Sequence, residues 1–249
     1  MFPLRKAPEL VYSRWNLCRF LNPTSSGLIS PAGPWKGRAF CDKIAREFVS
    51  AEIGSAKTMN QKIGKTASLV NAGAVGLFAL SMLIGSPFLS YLSSMFIAFS
   101  FVPMMCGFCV YAGKDRKTAG IVSVGFACVY AVIIILVYFA QLTTLRLEPL
   151  TDQARKLLNF QQFSLFFHYD LLGYAMMALS TFFAGLTLPG KGTLKWMLLG
   201  HGIFFVSCLI VPMLGVFRTE GDPLIGTILL LIWCLYFIPV GILSYRFFK

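Results

Sequence analysis

The sequence has few charged residues for its length. Only 13% of the 249 residues are charged, and Asp and Glu together number ten. Soluble domains average about 25% charged and about 45–50% apolar residues, whereas 57% of this chain is apolar. A soluble core of this size has no room for so much apolar surface. The composition therefore excludes an ordinary soluble domain and a disordered chain, and it predicts an integral membrane protein whose main partner is the lipid bilayer.

Motifs for catalysis, metal binding and nucleic-acid binding are also lacking. The sequence contains no H-E-x-x-H, no G-x-S-x-G and no Walker loop, the patterns that place a zinc ion, a nucleophile or a phosphate. Its seven cysteines show no metal-ligand spacing. Cys106 and Cys109 form a C-x-x-C pattern inside an apolar run, where a reactive thiolate is disfavoured. We expect no catalytic residue, cofactor, metal, structural disulfide or nucleic-acid partner, although the net charge is +12.

The chain divides into a polar arm, residues 1–58, and an apolar part, residues 59–249. The arm carries nine Lys and Arg, four Asp and Glu and five prolines, and it has no run long enough to cross a bilayer. It is interpreted as an ordered cytosolic arm, as a basic targeting segment, or as sequence upstream of the true start. The third interpretation is favoured because Met59 opens a short polar leader before the first apolar run.

The apolar part contains six runs that match the length of membrane-spanning helices. A helix crossing about 30 Å of hydrocarbon needs about 17–25 apolar residues. The runs are continuous, whereas barrel strands alternate over about ten residues. The fold class predicted is therefore all-α, with six transmembrane helices. They are residues 67–84, 88–112, 119–140, 163–188, 196–217 and 224–245.

The distribution of Lys and Arg among the loops predicts the orientation. Ten of these residues fall on one side of the six spans and four on the other, and the richer side is cytoplasmic by the positive-inside rule. Both termini are therefore expected in the cytoplasm. The long connection 141–162 is then outside. We expect it to be an interfacial amphipathic segment, and the alternative is that it covers a substrate entrance. Whether several copies assemble stays open.

Three ionisable side chains, His168, Asp170 and His201, lie within apolar spans. Such residues are costly in lipid and are functional candidates by default. Successive helical residues turn by about 100°, so His168 and Asp170 point in different directions, while Tyr174 is placed to hydrogen-bond to Asp170. Prolines inside spans remove a backbone donor and predict helix kinks. These are Pro103, Pro212 and Pro239.

Asp170 and His201 carry different expectations. Residues 171–188 already suffice to span, so we predict that Asp170 is an interfacial N-cap rather than a buried charge. His201 is expected inside its span, because a helix that began after His201 would be too short to cross the bilayer. It is either a neutral imidazole bonded to a neighbouring helix, which is favoured, or a protonatable residue on a transport path.

Two stretches in the last third resemble small bacterial multi-span membrane proteins of unknown function. They are residues 170–186, DLLGYAMMALSTFFAGL, and residues 192–203, GTLKWMLLGHGI. In those proteins a Gly-Tyr or Gly-Phe helix leads through a short basic turn into the next span. The resemblance covers about the last 80 residues. It implies a location in the bacterial inner membrane and transfers no activity or site residue.

Three classes of function are compatible with these features. The leading interpretation is a non-enzymatic six-helix bundle. The second is a small transporter or channel protomer, because two three-span halves would have inverted topology. The third is a membrane enzyme acting on a lipid or isoprenoid, for which only Asp170 and His168 offer polar groups near an interface. An aqueous cavity reaching Asp170 or His201 would favour transport.

Overall fold

The computed structural model describes residues 36–160, 164–214 and 223–248, and in these ranges all regular structure is helical. The chain divides into two units, Met1–Lys57 and Thr58–Lys249, and the candidate membrane-spanning helices of the described residues lie in the second. The three interpretations of the N-terminal arm rest mainly on residues 1–35, which lie outside the described residues.

Nine α-helices are present within the described ranges, with a short 3-10 turn at Lys114–Arg116. Helix α4 and helix α5 lie in the long connection between the third and fourth spans. The bounds are α1 Lys36–Leu83, α2 Pro87–Tyr111, α3 Lys117–Leu142, α4 Thr144–Leu147, α5 Asp152–Leu158, α6 Leu165–Thr187, α7 Thr193–His201, α8 Phe204–Met213 and α9 Pro223–Phe247.

Within the described ranges, six helical segments are long and apolar enough to cross a membrane, which confirms the predicted number. They are Thr58–Leu83, Pro87–Tyr111, Lys114–Leu147, Leu165–Thr187, Thr193–Met213 and Gly226–Phe247. The fifth differs from the expected continuous helix, because a tight turn at Gly202 and Ile203 separates α7 from α8. Two other chain reversals use glycines with positive φ, Gly85 at 67° and Gly190 at 72°, a conformation that L side chains rarely adopt.

Helices α3 and α6 pack extensively against each other. Two serines join them reciprocally, since the Ser123 hydroxyl donates to the Ser180 carbonyl at 2.8 Å and the Ser180 hydroxyl donates to the Ser123 carbonyl at 2.8 Å. Small polar residues of this kind allow close backbone approach and hydrogen bonding between helices in lipid. The α3–α6 pair therefore forms the rigid centre on which the candidate site is built.

Helix α1 is attached to two other helices. The buried Asn71 amide donates to the Ile97 carbonyl at 3.1 Å and to the Ser100 hydroxyl at 3.0 Å, both on α2. On its α9 side, a Cβ added at Gly241 would lie 2.8 Å from the Cβ of Ala72. A methyl group on Ala72 has no rotamer to adopt, so this contact requires glycine.

Gly241→Ala is expected to lower the free energy of unfolding by about 1–3 kcal/mol, the usual cost of overpacking. Gly226→Ala is the matched control on the same helix, because a Cβ there meets nothing within 4 Å. Alanine in an exposed helix is favoured over glycine by roughly 0.5–1 kcal/mol, so the control should be neutral or stabilised. Thermal unfolding of both variants in detergent measures the difference, and equal stabilities would contradict the close α1–α9 contact.

Candidate intramembrane polar site

The position of Asp170 follows from where α6 begins. The Ser164 hydroxyl caps the helix by accepting from the backbone N–H of Phe166 at 3.2 Å and of Phe167 at 3.5 Å. The helix therefore starts at Leu165, and Asp170 lies in its second turn with 4% of its surface exposed. The predicted interfacial N-cap at Asp170 is wrong, because Ser164 takes that role and adds more than a turn of helix before the carboxyl group.

His168 does not join Asp170, although only one residue separates them. Its side chain is exposed, and its Nδ1 lies 2.8 Å from the Ser164 carbonyl oxygen of the preceding turn. Asp170 instead points into the bundle, as the helical angle between the two positions requires. The imidazole therefore belongs to the start of the helix and the carboxyl group to its buried face.

Three buried tyrosines interact with the Asp170 carboxyl group, and we call these four residues the Asp170 site. Tyr138 on α3 is its side-chain hydrogen-bond partner, and Asp170 also interacts electrostatically with Tyr130 and Tyr174. The rings of Tyr130 and Tyr174 have centroids 6.0 Å apart. The predicted hydrogen bond between Asp170 and Tyr174 is not formed, because the carboxyl group pairs across to α3 rather than along its own helix.

The Asp170 site has more polar atoms than partners for them. Among the described residues, Oδ1 of Asp170 and the hydroxyl oxygens of Tyr130 and Tyr174 are buried without a hydrogen-bond partner. Buried polar groups are normally paired, and unpaired ones need an explanation such as a bound water or ion. The free carboxylate oxygen and the two hydroxyls that interact electrostatically with the carboxyl group are all oxygen atoms, which suit a hard cation, a proton or a water.

His201 forms a second buried polar centre, which is fully paired. Nε2 accepts from the Trp233 indole N–H at 3.0 Å, and Nδ1 lies 2.8 Å from the Thr181 hydroxyl oxygen. Because Nε2 accepts, the ring proton lies on Nδ1 and is donated to Thr181. The imidazole thus bridges α7 to α6 and α9 with 1% of its surface exposed.

The surroundings of His201 fit the interpretation of a neutral structural histidine. A second proton on Nε2 would face the Trp233 N–H, so protonation requires that contact to break. The flanking glycines permit close packing, since a Cβ at Gly200 would lie 3.1 Å from the Tyr236 hydroxyl and one at Gly202 would lie 2.9 Å from Phe182.

The two centres share one aromatic neighbour. The Trp233 ring lies 5.4 Å from the Tyr174 ring in a T-shaped contact, while its N–H bonds His201. The Asp170 site lies near the end of α3 and the start of α6, whereas His201 lies on α7, which follows the other end of α6. Among the described residues, His201 is therefore a satisfied polar centre, whereas the Asp170 site is an unsatisfied one.

The structure also places the prolines and the C-x-x-C cysteines that the sequence singled out. Pro103, Pro212 and Pro239 lie inside α2, α8 and α9 respectively. Between the cysteines of the C-x-x-C pattern, a Cβ at Gly107 would meet the Phe248 ring at 2.7 Å. The five cysteines that the structure describes are free thiols.

Sequence reasoning missed several residues of these centres. Tyr138, Trp233 and Thr181 carry no signal, because aromatic and hydroxyl residues are common throughout the spans. Asn71 and Gln141 did carry one, since a buried amide in an apolar run needs hydrogen-bond partners. A search that included amides as well as ionisable groups would have found both.

No protein-family model, curated protein or solved structure matches the chain. The class of protein therefore rests on the helices themselves. Six apolar helices of spanning length, with the polar centres inside the bundle, are those of an integral membrane protein.

Proposed function

We propose that this chain is a small membrane transport protein that binds a monovalent cation, sodium or a proton, at the Asp170 site. The observation that carries this proposal is the buried carboxyl group with an unpaired Oδ1, which interacts electrostatically with two tyrosines whose hydroxyls are also unpaired. A carboxylate in the hydrocarbon is costly unless it is paired. No described Lys or Arg acts on Asp170, so the missing partner is a cation from outside the chain.

The contrast with His201 favours transport over a purely structural bundle. His201 has a partner at each ring nitrogen and needs nothing further. Asp170 is almost as deeply buried, yet its pairing is incomplete. Ionisable residues inside membrane bundles commonly mark ion pathways and proton relays. A membrane enzyme has less support, because the buried Asp170 offers no route for a lipid to reach it.

The proposed membrane and orientation come from the sequence. The ten-to-four distribution of Lys and Arg supports cytoplasmic termini, and the resemblance of the last third supports a bacterial cytoplasmic membrane. In this orientation the connection between α3 and α6 lies outside, and Asp170 lies nearer the outer face than His201.

Ion entry into vesicles tests the transport proposal. The purified chain is reconstituted into potassium-loaded liposomes, and valinomycin is added to make the interior negative. Proton entry is followed with an internal pH dye, and sodium entry with radioactive sodium. One of the two ions should enter several-fold faster than in protein-free liposomes. If neither does, the proposed transport of a monovalent cation is overturned.

Topology reporters test the orientation. Fusions after Lys117, Lys195 and Lys249 are expected to report a cytoplasmic location, and fusions near Asp152 and Asp222 an external one. The expected contrast is all-or-none, because each helix carries the chain from one side to the other. A cytoplasmic signal near Asp222 would refute the orientation of the last two spans.

A further inference from the structure

We propose that Gln141 is a positioning residue that holds Phe160 as a removable aromatic seal between the Asp170 site and the face of the bundle carrying the α3–α6 connection. This proposal rests on the proposed function in one respect, that the seal retains a cation at Asp170. Gln141 and Phe160 would then control the route by which the Asp170 site exchanges with water.

Gln141 fixes the backbone of the connection with both ends of its amide. Its Nε2 donates to the Leu158 carbonyl at 2.8 Å, and its Oε1 accepts from the Phe160 N–H at 3.3 Å. The side chain is buried, with 5% of its surface exposed, at the last turn of α3. An amide that satisfies one donor and one acceptor two residues apart sets both the position and the direction of the chain between them.

The ring that this clamp positions lies in an aromatic layer next to Asp170. The centroid of Phe160 is 5.7 Å from that of Tyr138 and 6.0 Å from that of Tyr91, and the two tyrosine rings stack at 5.4 Å. Tyr138 is the residue whose hydroxyl pairs with Asp170. The sequence of contacts therefore runs from the Gln141 amide to the Phe160 backbone, from the Phe160 ring to Tyr138, and from Tyr138 to the carboxyl group.

The segment that carries the seal has little regular structure, and besides the Gln141 amide its Phe160 ring contacts Phe167 of α6 with centroids 5.4 Å apart. Helices α4 and α5 have four and seven residues, far fewer than the roughly 12–15 that a helix needs to persist by itself. The Phe160 ring is only half-buried, unlike Tyr138 beneath it. Releasing the two amide bonds frees the ring to swing away while α3 and α6 stay joined by Ser123 and Ser180. Short segments of this kind commonly gate buried sites.

Solvent access to a cysteine beside the site tests the seal without relying on transport. Ser94 is buried and lies within hydrogen-bond range of Tyr138, so Ser94→Cys places the probe beside Tyr138, whose ring contacts Phe160. A membrane-impermeant thiol reagent is added to vesicles on the connection face. Peptide mass spectrometry then measures modification at position 94 alone, so the native cysteines do not interfere.

The Ser94→Cys protein should be modified slowly, and adding Gln141→Leu should raise the rate at least ten-fold. Phe160→Ala removes the ring directly and should have the same effect. Thr143→Val is the matched control, because the Thr143 hydroxyl bonds only within its own helix end, to the Phe139 carbonyl at 2.7 Å. Equal rates in all four proteins, or modification only from the opposite face, would overturn the seal. Failure of ion entry together with the expected pattern of modification would overturn the transport proposal and leave the seal standing.

Discussion

Asp170→Asn is expected to abolish ion entry into reconstituted vesicles while the protein remains folded. Asparagine has the shape of aspartate and still accepts the Tyr138 hydrogen bond, but it cannot become an anion. A site that binds a cation through the carboxylate therefore loses its ligand. The variant should be as stable as the parent or slightly more stable, because an incompletely paired buried acid is replaced by a neutral amide.

The control for this variant is Asp115→Asn, which makes the same chemical change in the exposed turn between α2 and α3. It should transport at the parental rate. Unfolding temperature and gel-filtration profile in detergent show whether each variant is folded. If Asp170→Asn takes up ions at the parental rate, the carboxylate is not required and the proposed role of Asp170 is contradicted.

The number of spans was predictable from the sequence because it depends on a local property. Each span needs a continuous apolar run of sufficient length, and each turn needs a polar, glycine or proline break. The start of α6 was not predictable by the same argument. Residues 171–188 are long enough to span the bilayer. The helix nevertheless begins at Leu165, because the Ser164 side chain caps it there. A minimum length does not determine where a helix begins, because a capping side chain such as Ser164 can start it further upstream.

The hydrogen-bond partners within each centre could not be predicted from the sequence, for a different reason. His201 bonds Trp233, which lies 32 positions further along the chain, and Ser123 bonds Ser180 across 57 positions. Such pairs depend on the rotation and depth of each helix relative to its neighbours. The hydrophobic pattern specifies these only loosely in spans that are apolar on every side. Sequence reasoning therefore identified Asp170 and His201 as exceptional, but it could not tell that one is satisfied and the other is not.

His201→Leu is expected to reduce the stability of the bundle substantially. The Trp233 indole N–H would be left buried without its acceptor, at a cost of about 1–3 kcal/mol for an unpaired polar group. Thr181 loses less, because its hydroxyl keeps the Ala178 carbonyl at 2.9 Å as an acceptor. The contact that joins α7 to α6 and α9 is removed at the same time. Thermal unfolding of the purified protein in detergent measures this effect.

Two further variants separate a structural histidine from a proton relay. His168→Leu makes the same replacement at an exposed histidine and should leave the unfolding temperature nearly unchanged. His201→Gln supplies an acceptor for Trp233 and a donor for Thr181 without a titratable group, so it should recover most of the stability and the parental rate of ion entry. A His201→Gln protein that is folded but inactive would assign the proton relay to His201. The amide preserves both hydrogen bonds and removes only the ability of the side chain to take up and release a proton.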